Sequence, residues 1–238
     1  SSGSPSAWSG SISVDRGGVS CLLIMASPLV AMAVALCVGA YDIPPGLVFK
    51  ALLLDLGDLP ERAIVLDIRL PRVLLSAAVG VALSASGATL QGIFRNPLVD
   101  PFILGLSAGA AFGCALSVAL LPRVPIQLAA FAFSLLATFI TYAIARSQGG
   151  VSRLALVLSG VVVSAFFTAM VSIVKFLVDP HRLVSIVYWL MGSFSLADWG
   201  AVKVAAAGIA AGCVPLYLMR WRLNALSMGE EEARACLL

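Results

Sequence analysis

The sequence predicts an all-α integral membrane protein with about six transmembrane helices. Three observations predict it. Hydrophobic residues make up 61% of the 238 and charged residues only 11%, with a mean hydropathy of +1.04, whereas a soluble domain carries roughly 25% charge. The apolar residues lie in continuous runs of about twenty, the length that crosses a ~30 Å hydrocarbon layer as a helix. A membrane barrel would instead show alternating segments of about ten. Small residues also recur every fourth position within the runs, on one helix face where backbones can approach closely in a bilayer. The net charge of +3 is too small to point to nucleic acid.

Residues 1–18 form a Ser- and Gly-rich polar tail. The run 19–40 is too long for a secretory signal core and is preceded only by Arg16, so it reads as an uncleaved first spanning helix. Residues 41–72 read as a long mixed loop carrying Asp42, Asp55, Asp58, Glu61 and Asp67, with helical spacing at 47–56 that suits a short interfacial helix. Spanning helices then follow at about 73–94, 102–121, 126–145, 154–178 and 199–221, which sets a transmembrane domain at 19–222. The hinge RNPLVDP joins the second helix to the third. Pro97 pushes Asn96 out of the helical region, and Asp100 before Pro101 reads as the N-cap of the next helix. Asp179 and Pro180 start a short, non-spanning helix of about 181–191 that stops near Gly192. In the last segment, 223–238, Ser227 and Glu230 have capping-box spacing, with Glu230, Glu231 and Glu232 in the first turn. Such a helix either meets a soluble partner or is merely solvated.

Gly80, Ser84 and Ala88 form one packing stripe, and Gly105, Gly109 and Gly113 a stricter one; Gly208 and Gly212 repeat the pattern. Gly160, Ser164, Thr168 and Ser172 form a further stripe, which either hydrogen-bonds a neighbouring helix or lines a wet path. Lys175 sits where it can snorkel to the interface. Cys21, Cys37, Cys114, Cys213 and Cys236 lack metal or redox spacing and read as small buried packing residues. With His181 the single histidine, a histidine metal cluster or a catalytic triad is unsupported, and no metal site is assigned. The chain has no Gly-rich phosphate loop with its lysine and Ser/Thr, so it hydrolyses no nucleotide and carries no catalytic residue. Orientation by charge is a draw: seven basic residues would lie inside and eight outside with a cytoplasmic N-terminus.

Taken together and in order, RLPR, SGATLQGIFRNPLVDPFILGLSAGA, LSGVVVSAFFTAMVS, YWLMGSFSLADW and LNALSMGEEEAR resemble the permeases of ATP-binding-cassette importers for iron–siderophore, haem and cobalamin, the FecCD- or BtuC-like type II importers. The resemblance covers about residues 43–238. It implies a cytoplasmic N-terminus in a bacterial or archaeal cytoplasmic membrane. It implies that Arg69 and Arg72 face outward and pair with carboxylates of an extracytoplasmic substrate-binding protein, a role that suits arginine's planar fork. Asn96 and Leu98 match positions near a cytoplasmic gate, and the Gly160 to Ser172 stripe matches a pathway-lining helix. Asn224, Ser227, Gly229, Glu230, Glu231, Glu232 and Ala233 match coupling helices that sit in a groove of the ATPase subunit. The implied partners are a second permease subunit, identical or a close paralogue, two ATPase subunits that use ATP and Mg, and the binding protein; this chain itself is expected to bind no cofactor. Family members have ten spanning helices, so the resemblance implies that six are the first part of a longer permease. Secondary carriers tend to place ionisable groups at mid-depth, and the helix middles here are free of charge, which argues against an ion-coupled carrier. A membrane enzyme would need a cluster of His, Asp or Glu at membrane depth, and none is present.

Overall fold

The computed structural model describes residues 16–54, 59–147 and 152–228, and their regular structure is entirely helical. The chain divides into two compact units, 1–77 with 197–202, and 78–196 with 203–238. Among the described residues, five helices are long and apolar enough to cross a membrane: Ser20–Cys37, Pro60–Phe94, Ile126–Ser147, Arg153–Leu177 and Trp199–Leu218. A sixth apolar helix, Leu106–Leu120, is shorter.

In the first unit, α1 (Arg16–Cys37) is followed by α2 (Pro45–Leu53), which starts on a proline whose missing N–H costs nothing at that position. Ile43, Val48, Ala51 and Val65 form the buried core, with Leu36, Cys37, Leu47 and Ile64 packed against it. The mixed loop expected as far as Arg72 is largely helix. α3 (Pro60–Ala63) runs into a π-helical turn (Ile64–Arg69) and on into α4 (Leu70–Phe94) as one apolar helix.

The reason lies at Pro71. Proline has no N–H, and its ring collides with the carbonyl four residues back in a regular α-helix. Just before it, the chain widens, and the Leu70 N–H bonds to the Val65 carbonyl five residues back. The next carbonyl in that register, Leu66, would need the N–H that Pro71 lacks. The indole N–H of Trp199 supplies the hydrogen bond at 3.2 Å.

In the second unit, α5 (Leu106–Leu120), α6 (Ile126–Ser147) and α7 (Arg153–Leu177) pack together. Ala137, Val163 and Phe167 are the buried centre, and Phe112 stacks edge-on to Phe133 at 5.2 Å and tilted to Phe167 at 5.5 Å. Gly109 and Gly113 make the α5–α6 contact. A Cβ at Gly109 would lie 2.5 Å from the Phe133 carbonyl oxygen, and one at Gly113 would collide with the Ala129 carbonyl. Without a hydrophobic drive between helices in lipid, such backbone approach is what holds them.

α8 (Pro180–Met191) lies where the sequence places a short helix. Asp179 accepts from the N–H groups of His181 and Arg182 at 3.1 Å each, and Gly192 ends the helix at φ 71°. Arg182 pairs with Asp179 at 3.1 Å and donates to the Ala119 carbonyl at the end of α5. α9 (Trp199–Leu218) is capped by Asp198, and after Met219 the chain continues as α10 (Arg220–Met228).

Two stripes expected to pack do not do so within this chain. Gly80, Ser84 and Ala88 are exposed on α4, and a Cβ at Gly80, Gly208 or Gly212 would meet nothing within 4 Å. Spacing puts small residues on one face, but only a facing helix makes that face a contact. The cysteines divide for the same reason: Cys114, between α5 and its neighbours, is buried, Cys37 and Cys213 are half-buried, and Cys21 on α1 is exposed. Cys236 lies outside the described residues.

Candidate functional site

The most elaborate local structure is the hinge between α4 and α5. α4 ends at Phe94 in a Schellman motif: the Asn96 N–H bonds to the Gln91 carbonyl at 3.2 Å and the Arg95 N–H to that of Gly92 at 3.3 Å. The left-handed position of that motif normally takes glycine. Here it is Arg95, at φ 52°, the one non-glycine with positive φ among the described residues, a conformation that costs an L-residue roughly 1–2 kcal/mol.

The hinge then satisfies its own backbone. The Asn96 Oδ1 accepts from the Leu98 N–H at 3.0 Å, and the Asp100 Oδ1 from the Phe102 N–H at 2.8 Å. The amide of Gln91 donates to the Pro97 and Val99 carbonyls at 3.0 and 3.3 Å. Thr141, fully buried on α6, donates to the Leu104 carbonyl at 3.1 Å. Backbone outside a helix is tolerated at membrane depth only where protein or a wet cavity satisfies it.

Asp100 therefore caps a turn and not a spanning helix. α5 begins later, at Leu106, after Gly105 at φ 83°. The Leu98 side chain stands out from this network, the residue being 88% exposed.

α10 meets the hinge directly. The guanidinium of Arg95 donates to the Leu226 carbonyl through Nε at 3.3 Å and a terminal nitrogen at 3.0 Å. A Cβ at Gly92 would lie 4.0 Å from that of Ser227. The hinge and the segment after the last spanning helix, named separately in the sequence, thus meet through Arg95 with Leu226 and Gly92 with Ser227; Asn96 and Leu98 follow Arg95 in the hinge, and Asn224 precedes Leu226 on α10. The capping partner expected for Ser227, Glu230, lies outside the described residues. α10 runs unbroken through Ser227, whose hydroxyl donates back to the Asn224 carbonyl at 2.7 Å, as serine does inside a helix. Gly229, Glu230, Glu231, Glu232 and Ala233 lie outside the described residues.

The arginine pair separates. Arg69 is only 8% exposed, and its guanidinium donates to the Leu36, Cys37 and Tyr41 carbonyls around the end of α1, at 2.8 and 3.1 Å for the first two. Those carbonyls have no partner within the helix, and a cation at a helix C-terminus also suits its dipole. Gly39 leaves the space: a Cβ there would come within 2.7 Å of the guanidinium. Arg69 is therefore a cap on α1, its guanidinium turned into the protein. Arg72, one turn further along, is exposed.

The α7 stripe separates as well. Gly160 is buried, and a Cβ on it would collide with the Ile103 carbonyl of the hinge segment; Ser164 is half-buried near Gly105. Thr168 and Ser172 are exposed. Four residues overshoot one helical turn by about 40°, so a stripe of period four rotates away from the neighbour it starts on. Gly160 packs against the segment that precedes α5.

The FecCD transport family profile matches residues 26–236. The chain belongs to the FecCD transport family. Among its relatives, the "probable iron chelatin transport system permease protein" of Helicobacter pylori (strain ATCC 700392 / 26695) is 46% identical over 170 residues, covering 71% of this chain and 52% of the relative. The "cobalamin import system permease protein BtuC" of Halobacterium salinarum (strain ATCC 700922 / JCM 11081 / NRC-1) is 42% identical over 180 residues, 73% of this chain and 48% of the relative. A solved structure described as "an inward-facing conformation" of a transporter of "metal-chelate type" superposes with a TM-score of 0.75 at 30% identity, over 92% of this chain and 68% of that one. The chain spans about half the length of the curated relatives it matches. The hinge was visible in the sequence, whereas α10 was not: its residues read as the end of a spanning helix and the lead-in to a helix after Ser227. Gln91, Thr141 and Arg95 were missed, although a lone polar residue within an apolar run was the available signal for the first two.

Proposed function

We propose that this FecCD chain is part of the membrane permease of an ATP-binding-cassette importer, in a bacterial or archaeal cytoplasmic membrane, moving an iron chelate of siderophore type. The single observation that carries the reading is the hinge–α10 junction. An irregular, internally satisfied hinge, with one exposed leucine at its tip, is tied by Arg95 to a short helix beyond the last spanning segment. A gate controlled from outside the membrane needs such an arrangement.

In this reading two permeases face one another around a central path. Asn96 and Leu98 stand at its cytoplasmic gate, and Thr168 and Ser172 line it. Asn224 and Ser227, with the acidic run Glu230, Glu231 and Glu232, contact the ATPase subunit, which binds ATP and Mg. Arg72 receives a carboxylate of the substrate-binding protein. The chain itself supplies no chemistry: ATP-driven closure of the partner moves α10, and the path opens alternately to each side. An iron chelate is favoured by the 46% identity to the iron chelatin permease, ahead of haem or cobalamin.

The test is uptake of radiolabelled ferric chelate by cells that lack the parent permease, complemented with wild type or with Leu98→Trp. ATP-dependent uptake by the first and its loss in the second is the expected result. Equal uptake by complemented and uncomplemented cells overturns the reading.

A further inference from the structure

We propose that Arg95 is a positioning residue that makes the hinge 95–101 move with α10 as a single body. The inference rests on the importer reading for its consequence, but on geometry alone for the link itself.

Three observations converge on Arg95. Its backbone occupies the left-handed position of the Schellman motif, where glycine would be relaxed. A costly residue at that position calls for a side-chain reason. Its side chain supplies one, since both contacts of the guanidinium go to one acceptor, the Leu226 carbonyl. That carbonyl lies on α10, one residue before Ser227. The third observation is the packing beside the bond, with Gly92 against Ser227 and the neighbouring Ala225 buried. On the hinge side, the N–H of Arg95 is bonded to the Gly92 carbonyl and that of Asn96 to Gln91, whose amide in turn holds the Pro97 and Val99 carbonyls. A displacement of α10 thus reaches Leu98 through a short chain of directional bonds. Lysine could hold the same acceptor with its single ammonium, so a partial substitute exists.

The experiment places spin labels at positions 98 and 224 of the full-length permease in lipid, with the native cysteines replaced, and measures the distance distribution between them. In the parent the distribution is narrow. Arg95→Ala at least doubles its width, and Arg95→Lys restores most of the narrowing. A second pair of substitutions, Gly92→Cys with Ser227→Cys, suits a disulfide by its 4.0 Å Cβ separation; oxidised in the Arg95→Ala background, it narrows the distribution again. In ATP-driven uptake, Arg95→Ala lowers transport by about tenfold, in the usual range for coupling between sites, while ATP hydrolysis persists, and the disulfide recovers transport until it is reduced. A distribution as narrow in Arg95→Ala as in the parent overturns the proposal. A distribution that Arg95→Ala widens, in a permease whose parent shows no ATP-driven uptake, leaves the link standing and removes the importer reading instead.

Discussion

Arg69 illustrates how a motif and its geometry can disagree. An arginine flanking an apolar run is expected to reach outward to a partner, yet this one turns inward to three carbonyls at the end of α1. Arg69→Ala should therefore destabilise the protein by about 1.5–3 kcal/mol, the range for hydrogen bonds to a charged group, read as a lower unfolding temperature in detergent. Gly39→Ala should act in the same direction by displacing the guanidinium, whereas Arg72→Glu should weaken the docking of the binding protein at moderate salt. Asp179 allows a test by pH. The N–H of Arg182 foremost, with the Arg182 charge and the His181 N–H, holds its carboxyl below the ordinary carboxylate value. A group depressed in the folded state adds stability above its unfolded pKa and loses it as the pH falls through the folded one. Hydrogen exchange at His181 and Arg182 should accordingly be slow at neutral pH and quicken, relative to the intrinsic rate, below the ordinary carboxylate range near ~3.9; Asp179→Asn should remove that acid-side change.

The glycines of α5 set the elements. Gly113→Val drives two methyls into the Ala129 backbone of α6, which cannot yield as a flexible side chain would, so a loss of about 1–3 kcal/mol is expected. Gly80→Val, with open space around it, should unfold at the parent temperature, and thermal unfolding of the two variants side by side checks both. The same contrast explains what was legible from the sequence. Length and hydropathy located the apolar segments, and local turn chemistry located α8 and the end of α4, because those depend on residues close in the chain. The extension of α4 back to Pro60 was hidden, since it relies on Trp199 supplying a hydrogen bond from far along the sequence. The late start of α5 was hidden too: Asp100-Pro101 carries a helix-start signal, but Gly160 and Thr141 hold residues 103–104 in a non-helical path. Of the candidate site, the residue identities were legible and their partners were not. Arg69 and Gly160 showed a packing role once a neighbour was known, and the bond from Arg95 to Leu226 depends on tertiary structure.

For the whole molecule, family membership and fold rest on a match over residues 26–236 and on superposition with a solved transporter. The proposed activity adds one physical statement, that motion outside the membrane is delivered to the hinge through α10. The most direct measurement is ATP hydrolysis by the complex recovered on a tagged full-length permease in lipid, with and without the chelate-loaded binding protein. The account predicts hydrolysis that co-purifies with the permease, rises when the loaded binding protein is added, and rises less when Arg72→Glu weakens docking. A permease that takes up ferric chelate with no co-purifying ATP hydrolysis would contradict it.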